Sequence, residues 1–220
     1  MLLSVSRKLE RISLRHFSRS DDSLASQQLR KNVINISAHG RRCHFCNLAF
    51  GDGQHFEIHN VDGDHTNLES QNVVPACELC HAVHHLDLVW RKWPGYSGKI
   101  IFLPEINQEQ LNAMFWALVF AKKMKPESDE ISNAIAKLES RQQAIPDFLD
   151  KLRDPFSLSV FLKKLSDQDY ENRGALLNGL RWLPPVDPLL GYVNDWSSSG
   201  SAFSQLHPDN WQQLLTVVGA

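Results

Sequence analysis

This sequence of 220 residues has no long apolar run, little net charge and only four cysteines. The longest apolar stretch covers Ala113 to Ala121, far short of the ~20 residues that a helix needs to cross a bilayer. Direct membrane insertion is therefore not expected, and the opening Met1–Leu2–Leu3 run is too short for the core of a secretory signal. The net charge of −2 argues against a polycation built to bind nucleic acid over its whole surface.

Positive charge is nonetheless concentrated near the start of the chain. Five basic residues lie in a short segment where Glu10 is the single opposing charge: Arg7, Lys8, Arg11, Arg15 and Arg19. A surface for nucleic acid or another anionic partner is one interpretation. The solvated face of a strand or helix is the other, and we favour it.

The four cysteines form two Cys-x-x-Cys pairs: Cys43 with Cys46, and Cys77 with Cys80. Hydrophobic residues make up 42% of the chain, which is enough to build a core without disulfides. Because we expect an intracellular protein, the pairs predict a metal site rather than disulfides. Two tight turns with two sulfurs each suit tetrahedral Zn²⁺ in a structural role, and the ion should contribute folding energy. Four unrelated buried thiols are the alternative.

The order of predicted elements is a zinc module followed by a helical region. We expect one or two strands in residues 1–22, a helix over 23–34, a loop over 90–97 and a strand over 99–103. Asn107 and Gln110 resemble a capping box that begins a helix over 108–124. A helix is predicted over 128–145, and Asp154–Pro155 is read as the cap and first position of another that continues through 161–165. Further helices are predicted over 167–182 and from about Pro208. We predict two parts: residues 1–98, with the zinc module at about 41–87, and residues 99–220.

The spacer between the cysteine pairs carries a recognisable motif. It contains Phe56–Glu57–Ile58–His59–Asn60–Val61–Asp62–Gly63–Asp64, then Asn67 and Gln71–Asn72–Val73–Val74, and it leads into Cys77–Glu78–Leu79–Cys80–His81. Over roughly residues 28–85 the chain resembles the HNH endonuclease family. The resemblance implies an α+β protein with an HNH-like ββα zinc module of treble-clef type, followed by a mostly α-helical C-terminal region.

The resemblance also assigns roles to single residues. His59 matches the family's first metal ligand, Asn72 the asparagine that braces the loop, and His81 the histidine after the second cysteine pair. His85 lies four residues beyond His81, on the same helix face. His59, His81 and His85 could therefore hold a second divalent ion, and with Asn72 they are the expected site of a nuclease. Surface histidines without a metal are the alternative.

One position departs from the nuclease pattern. Asn60 stands where the family has a general-base histidine. An amide cannot accept a proton near neutral pH, and loss of a general base costs a factor of about 10²–10⁴ in rate. His55 or His65 could substitute only in a different register. Catalysis is therefore uncertain, and absence of enzyme activity is the favoured reading.

A narrower resemblance covers most of the chain. The Gly98–Lys99–Ile100–Ile101–Phe102–Leu103–Pro104–Glu105–Ile106 stretch, the Asn60–Val61–Asp62–Gly63–Asp64–His65–Thr66–Asn67 hairpin and the late Arg181–Trp182–Leu183–Pro184 are similar to motifs of the IcmJ/DotN family of type IVB secretion systems. That family has a degenerate HNH core with asparagine at the base position. The resemblance implies a non-enzymatic cytoplasmic adaptor at the inner membrane. Its partners would be the C-terminal tail of the coupling ATPase, other coupling-complex subunits and effector substrates.

Three functions therefore stand side by side. The leading one is the zinc-stabilised adaptor, and the second is a metal-dependent HNH endonuclease. The third is a nucleic-acid-binding module without chemistry, which would use the basic N-terminal stretch with Arg41 and Arg42. A surplus of C-terminal aromatic residues on the surface would favour the adaptor, since a partner peptide could dock there; the residues in question are Phe115, Trp116, Phe120, Phe161, Trp182, Trp196 and Trp211.

Overall fold

The computed structural model describes residues 1–6, 24–37, 40–51 and 56–193. Within these ranges the α-helices are α1 (Leu24–Ile36), α2 (Glu78–His84), α3 (Val89–Lys92), α4 (Gln108–Met124), α5 (Asp129–Ser140), α6 (Pro155–Lys164), α7 (Asp167–Glu171) and α8 (Arg173–Leu176). The strands are β1 (Glu57–Asn60), β2 (Val73–Ala76), β3 (Lys99–Phe102) and β4 (Leu180–Leu183). Short 3-10 turns cover Leu86–Leu88, Arg141–Ala144, Asp147–Leu152 and Asp187–Leu189.

The first sheet carries the candidate site. β1 and β2 pair antiparallel, with His59 opposite Val74 and Asn60 opposite Val73. α2 follows β2 directly, because Cys77 caps the helix by accepting a hydrogen bond from the Cys80 amide. The chain thus runs from the first predicted cysteine turn through β1 and β2 to the second cysteine turn, which begins α2.

The second sheet lies in the C-terminal part. β3 and β4 pair antiparallel although 77 residues separate Phe102 from Leu180, which face each other in the register. The buried side chain of Gln108, at the start of α4, bonds to both backbone groups of Trp182 in β4. α4 therefore packs against β4, and its residue Asn112 also contacts Cys80 in the predicted zinc module.

Several predicted elements are confirmed, with small shifts in their bounds. β3 and α4 are at the predicted positions, and Asn107 and Gln110 form the capping box. The expected helix over 128–145 is α5 followed by a 3-10 turn, with Ser128 as its cap. The α+β class is confirmed as a mixture of helices with two small antiparallel sheets, while the treble-clef assignment stays a prediction.

Other expectations are wrong. No helix runs over 167–182: the helical turns end at Leu176, Gly179 adopts a positive φ of 78°, and residues 180–183 form β4. The predicted loop over 90–97 begins inside α3. Of the strands expected in residues 1–22, the described part, residues 1–6, has none. The remaining residues of that stretch and the helix expected from Pro208 lie outside the described residues.

The core runs continuously through both predicted parts. The aromatic residues expected to form either a core or a docking surface are mainly core, since Phe115, Trp116 and Trp182 are fully buried and Phe120 is nearly so. Phe161 is half-buried, and Trp196 and Trp211 lie outside the described residues. None of the helices in the described ranges is long and apolar enough to span a membrane.

Candidate metal centre

The four cysteines come together as the sequence predicted. The sulfur atoms of Cys43, Cys46, Cys77 and Cys80 all lie within 4.8 Å of one another, and the Cys46 and Cys77 sulfurs are 3.8 Å apart. This spacing fits the edge of a tetrahedron with metal–sulfur bonds of about 2.3 Å. Cys46 is partly exposed and the other three are buried. The group could bind a metal ion.

Local backbone geometry builds each half of this group. In the first half, the Asn47 amide donates to the Cys43 carbonyl, and Asn47 adopts a φ of 61°, a left-handed turn that asparagine tolerates. In the second half, Cys77 precedes α2 and Cys80 lies in its first turn. Backbone amides also point at the sulfurs, since the Cys77 amide donates to Cys43 Sγ at 3.3 Å.

The electrostatics of the cysteine group favour a cation. Burial raises the pKa values of the Cys77 and Cys80 thiols well above normal. Burial also opposes ionisation of Cys43, but hydrogen bonds from the other three cysteines outweigh it and lower the pKa of Cys43. Several thiolates cannot share so small a volume without compensating charge, and a divalent metal ion supplies that charge.

A second group consists of His59, His81 and His85. One ring nitrogen from each lies within 4.8 Å of the others, and all three residues are buried. His59 comes from β1, His81 from α2 and His85 from the C-cap of α2, so the ββα order alone brings them together. Three imidazoles suit a transition metal such as Zn²⁺, Ni²⁺ or Cu²⁺ better than Mg²⁺, which prefers oxygen ligands.

Other histidines surround this group. The His84 ring lies 4.2 Å from the His59 ring and 4.7 Å from Phe45, centroid to centroid. Burial is the main cause that lowers the pKa of His84 to about 4, so His84 is neutral at pH 7 and packs as an aromatic ring. The His65 ring lies 5.2 Å from the His85 ring, and burial lowers its pKa as well. His55 lies outside the described residues.

The loop between β1 and β2 is held by asparagines. The Asn60 amide donates to the Asn67 carbonyl at 2.7 Å, and the Asn72 amide donates to the same oxygen at 2.8 Å. Asn72 also accepts a bond from the Asp62 backbone amide. Asn60, which the resemblance aligns with the nuclease base, therefore takes part in the structure of this loop.

Sequence reasoning missed the residues that support the two groups. Asn112, on α4, donates to Cys80 Sγ at 3.3 Å, and Ser6 Oγ lies 2.8 Å from His85 Nδ1. Asn112 lies in the predicted helix over 108–124, but the helical pattern gives no indication of a contact with sulfur. Ser6 had no signal at all, because the contact depends on how the N-terminal residues pack.

The basic residues considered for nucleic acid give no assembled surface in the described part. The Arg42 side chain donates to the Asn47 carbonyl, and Arg41 donates to the Gly51 carbonyl. Both arginines thus hold the first cysteine turn. The five basic residues between Arg7 and Arg19 lie outside the described residues.

Comparison with known proteins supports the narrower resemblance. No protein-family model matches the chain. The chain is 26% identical over 159 residues to the type 4 apparatus protein DotN of Legionella pneumophila, a match that covers 71% of this chain and 73% of that protein. At 159 residues the match is much longer than the cysteine module. The Gly98–Ile106 and Arg181–Pro184 motifs likewise lie outside that module. This similarity to DotN supports the resemblance of the chain to the IcmJ/DotN family.

Proposed function

We propose that this chain is a non-catalytic, zinc-stabilised adaptor subunit of a type IVB secretion or related conjugation coupling complex. It acts in the cytoplasm, associated with the inner membrane through that complex. It binds the C-terminal tail of the coupling ATPase, contacts other coupling-complex subunits and aids recruitment of substrates. Zn²⁺ at the four cysteines stabilises the module that carries these contacts.

The side chain of Asn60 is the observation that supports the adaptor over an enzyme. Its amide is buried and bonded to the Asn67 carbonyl. An amide in this position cannot activate water. The similarity to a type 4 apparatus protein supports the secretion role.

An extended peptide partner needs exposed apolar side chains, and two candidate places lie among the described residues, although others such as Trp90 and Tyr96 are exposed as well. One is a cavity of about 310 Å³ between α1 and the β1–β2 loop, where Ile36 and Leu68 are exposed. The other is formed by Phe148 and Phe156, which are 80% and 60% exposed beside and on α6. Most other large apolar side chains of the described ranges are in the core.

The test is binding of the purified coupling-ATPase tail to the zinc-loaded full chain, measured by calorimetry. The double variants Ile36→Ser/Leu68→Ser and Phe148→Ser/Phe156→Ser remove the two apolar places separately. We expect binding by the wild type and a loss of affinity in one of the two variants. No binding of the tail by the wild type would contradict the adaptor role.

A metal-dependent HNH endonuclease is the second candidate. The observation that favours it is the cluster of His59, His81 and His85, which we propose binds a second divalent ion. When bound, such an ion would supply Lewis acidity and a bound water of lowered pKa. His59, His81 and His85 would hold the ion, while Asn60 cannot accept the proton that a nuclease base removes from water.

The two candidates are separated by incubating the protein with plasmid DNA and Mg²⁺, Mn²⁺ or Ni²⁺. The matched variant is His81→Ala, and zinc content at the cysteines shows that it is folded. Cleavage by the wild type that disappears in His81→Ala would establish the nuclease. We expect no cleavage with any of the three ions.

A further inference from the structure

We propose that Ser6 is a positioning residue for the histidine cluster and that it couples divalent-ion binding there to the seating of the N-terminal segment. This inference rests on the proposed second ion site. The N-terminal segment is residues 1–6, and the histidine cluster is His59, His81 and His85. The proposal concerns a link between these two regions, which are far apart in sequence.

The contact that carries the proposal is between Ser6 and His85. Ser6 Oγ lies 2.8 Å from His85 Nδ1, and both residues are more than nine-tenths buried. A ring nitrogen engaged by a hydroxyl leaves Nε2 as the nitrogen that can bind an ion. Metal-binding histidines commonly donate their other ring N–H to an oxygen, which fixes the tautomer and the ring orientation.

Binding of an ion would fix which of the two groups donates in this hydrogen bond. Without an ion, His85 can carry its proton on either nitrogen, so Nδ1 can donate to the hydroxyl or accept from it. With an ion on Nε2, the proton must be on Nδ1, and Nδ1–H donates to Ser6 Oγ. Ion binding and the Ser6 contact therefore stabilise each other, as linkage between two binding events requires.

Ser6 is held in place by a second buried group. Its backbone amide donates to Asp87 Oδ1 at 2.9 Å, and Asp87 Oδ2 pairs with Lys163 Nζ at 2.8 Å. Asp87 lies two residues beyond His85, in the 3-10 turn that packs against α6. The histidine cluster, the N-terminal segment and α6 thus meet at Ser6 and Asp87.

The rest of the segment bridges the two predicted parts of the chain. The Ser4 amide donates to the Val83 carbonyl of α2, and the Leu86 amide donates to the Ser4 carbonyl. On the other side, the Val5 amide donates to the Tyr170 hydroxyl, and Arg173 donates to the Leu3 carbonyl. A segment seated more firmly by the ion would therefore hold α2 and the α7–α8 region together more firmly.

The experiment adds Co²⁺ alone to the full chain whose cysteines are already loaded with zinc. Ligand-field absorption measures Co²⁺ affinity, and absence of the thiolate-to-cobalt charge-transfer band shows that zinc has stayed at the cysteines. Hydrogen exchange of the N-terminal segment is measured with and without Co²⁺. The variants are Ser6→Ala, the conservative Ser6→Thr, and Ser4→Ala as a matched control, because Ser4 Oγ bonds to Leu2 and Arg173 but to no histidine.

We expect Ser6→Ala to weaken Co²⁺ binding about tenfold, at the low end of the range for lost outer-sphere contacts. Co²⁺ should slow exchange of the segment in the wild type and in Ser4→Ala, but not in Ser6→Ala, and Ser6→Thr should restore both effects. Two results would overturn the coupling while leaving the ion site intact: equal Co²⁺ affinity of Ser6→Ala and Ser4→Ala, or a hydrogen-exchange rate of the wild-type segment that Co²⁺ does not change. A wild type that binds no Co²⁺, like a His59→Ala blank, would overturn the ion site and this inference together. The adaptor role is tested separately by tail binding.

Discussion

The side-chain amide of Asn60 and that of Asn72 donate to one and the same acceptor, the backbone carbonyl of Asn67, at 2.7 and 2.8 Å. The position that the HNH resemblance aligns with a nuclease base is thus used to close the loop between β1 and β2. Asn72 makes a further bond with the Asp62 amide, which Asn60 lacks. The two asparagines therefore hold the loop together, and the side chain of Asn72 contributes one more hydrogen bond than that of Asn60.

Replacement of each asparagine by alanine should show this difference. Asn60→Ala removes one donor from a carbonyl that keeps the other, so we expect a loss of about 1 kcal/mol in the free energy of unfolding. Asn72→Ala removes the other donor to that carbonyl and also the side-chain acceptor of the Asp62 amide, so about 2 kcal/mol is expected. Urea unfolding measures both values. Asn60→Ala as costly as Asn72→Ala would mean that Asn60 has a role beyond this bond.

The extent to which the sequence predicts the site follows from how local each contact is. The cysteine pairs and the spacing of His59, His81 and His85 lie within one strand–strand–helix unit, so the motif alone places them together. Asn112 and Ser6 reach the same centre from other parts of the fold. Their contacts depend on tertiary packing, which no local period or motif encodes.

Removal of metal from the cysteines should unfold the module around α2. The four thiols are mainly buried, and burial keeps the Cys77 and Cys80 thiols neutral unless a cation is present. We expect a strong chelator at raised temperature to release zinc, lower the midpoint of thermal unfolding and expose all four thiols to a thiol reagent. Zinc returned in stoichiometric amount should reverse these changes, measured by circular dichroism. Rapid reaction of all four thiols in the zinc-loaded protein would contradict a metal site.

Asn112 should affect the zinc affinity of the four cysteines although it is not itself a ligand. Its amide donates to Cys80 Sγ at 3.3 Å, and its side-chain oxygen accepts from Gln108 at 2.9 Å. In Asn112→Asp a carboxylate would face the sulfurs and repel their negative charge, so we expect zinc affinity to fall about 10- to 100-fold. Competition with a chromophoric chelator measures it. Asn133→Asp, at an exposed position on α5, is the control; equal zinc affinities of the two variants would rule out the contact's role.

The second sheet shows what the sequence predicts poorly. Residues 100–103 are a continuous apolar run, and the expected strand is formed by residues 99–102. In place of β4 the sequence instead predicts a helix over 167–182, which Pro184–Pro185 would end. The Asn178–Gly179 turn interrupts that helix, and pairing with β3 then fixes the strand. Pairing across so many residues is a tertiary effect that overrides the local period.

Gly98, directly before β3, lies against Trp182 and Leu183 of β4. It has a φ of 75°, and a Cβ atom there would lie 2.4 Å from the Leu183 carbonyl oxygen and 2.7 Å from Trp182 Nε1. Gly98→Ala should therefore combine the cost of a left-handed residue with overpacking, for a loss of about 3 kcal/mol or more in the free energy of unfolding. Gly95→Ala is the matched control, because Gly95 has a φ of 82° and no atom within 4 Å of the added Cβ. It should lose only about 1 kcal/mol, from backbone strain alone. Urea unfolding of the two variants gives the free-energy cost of overpacking as the difference between their losses. Equal losses in the free energy of unfolding would show that Gly98 is required for its φ and not for the contact between β4 and the loop before β3.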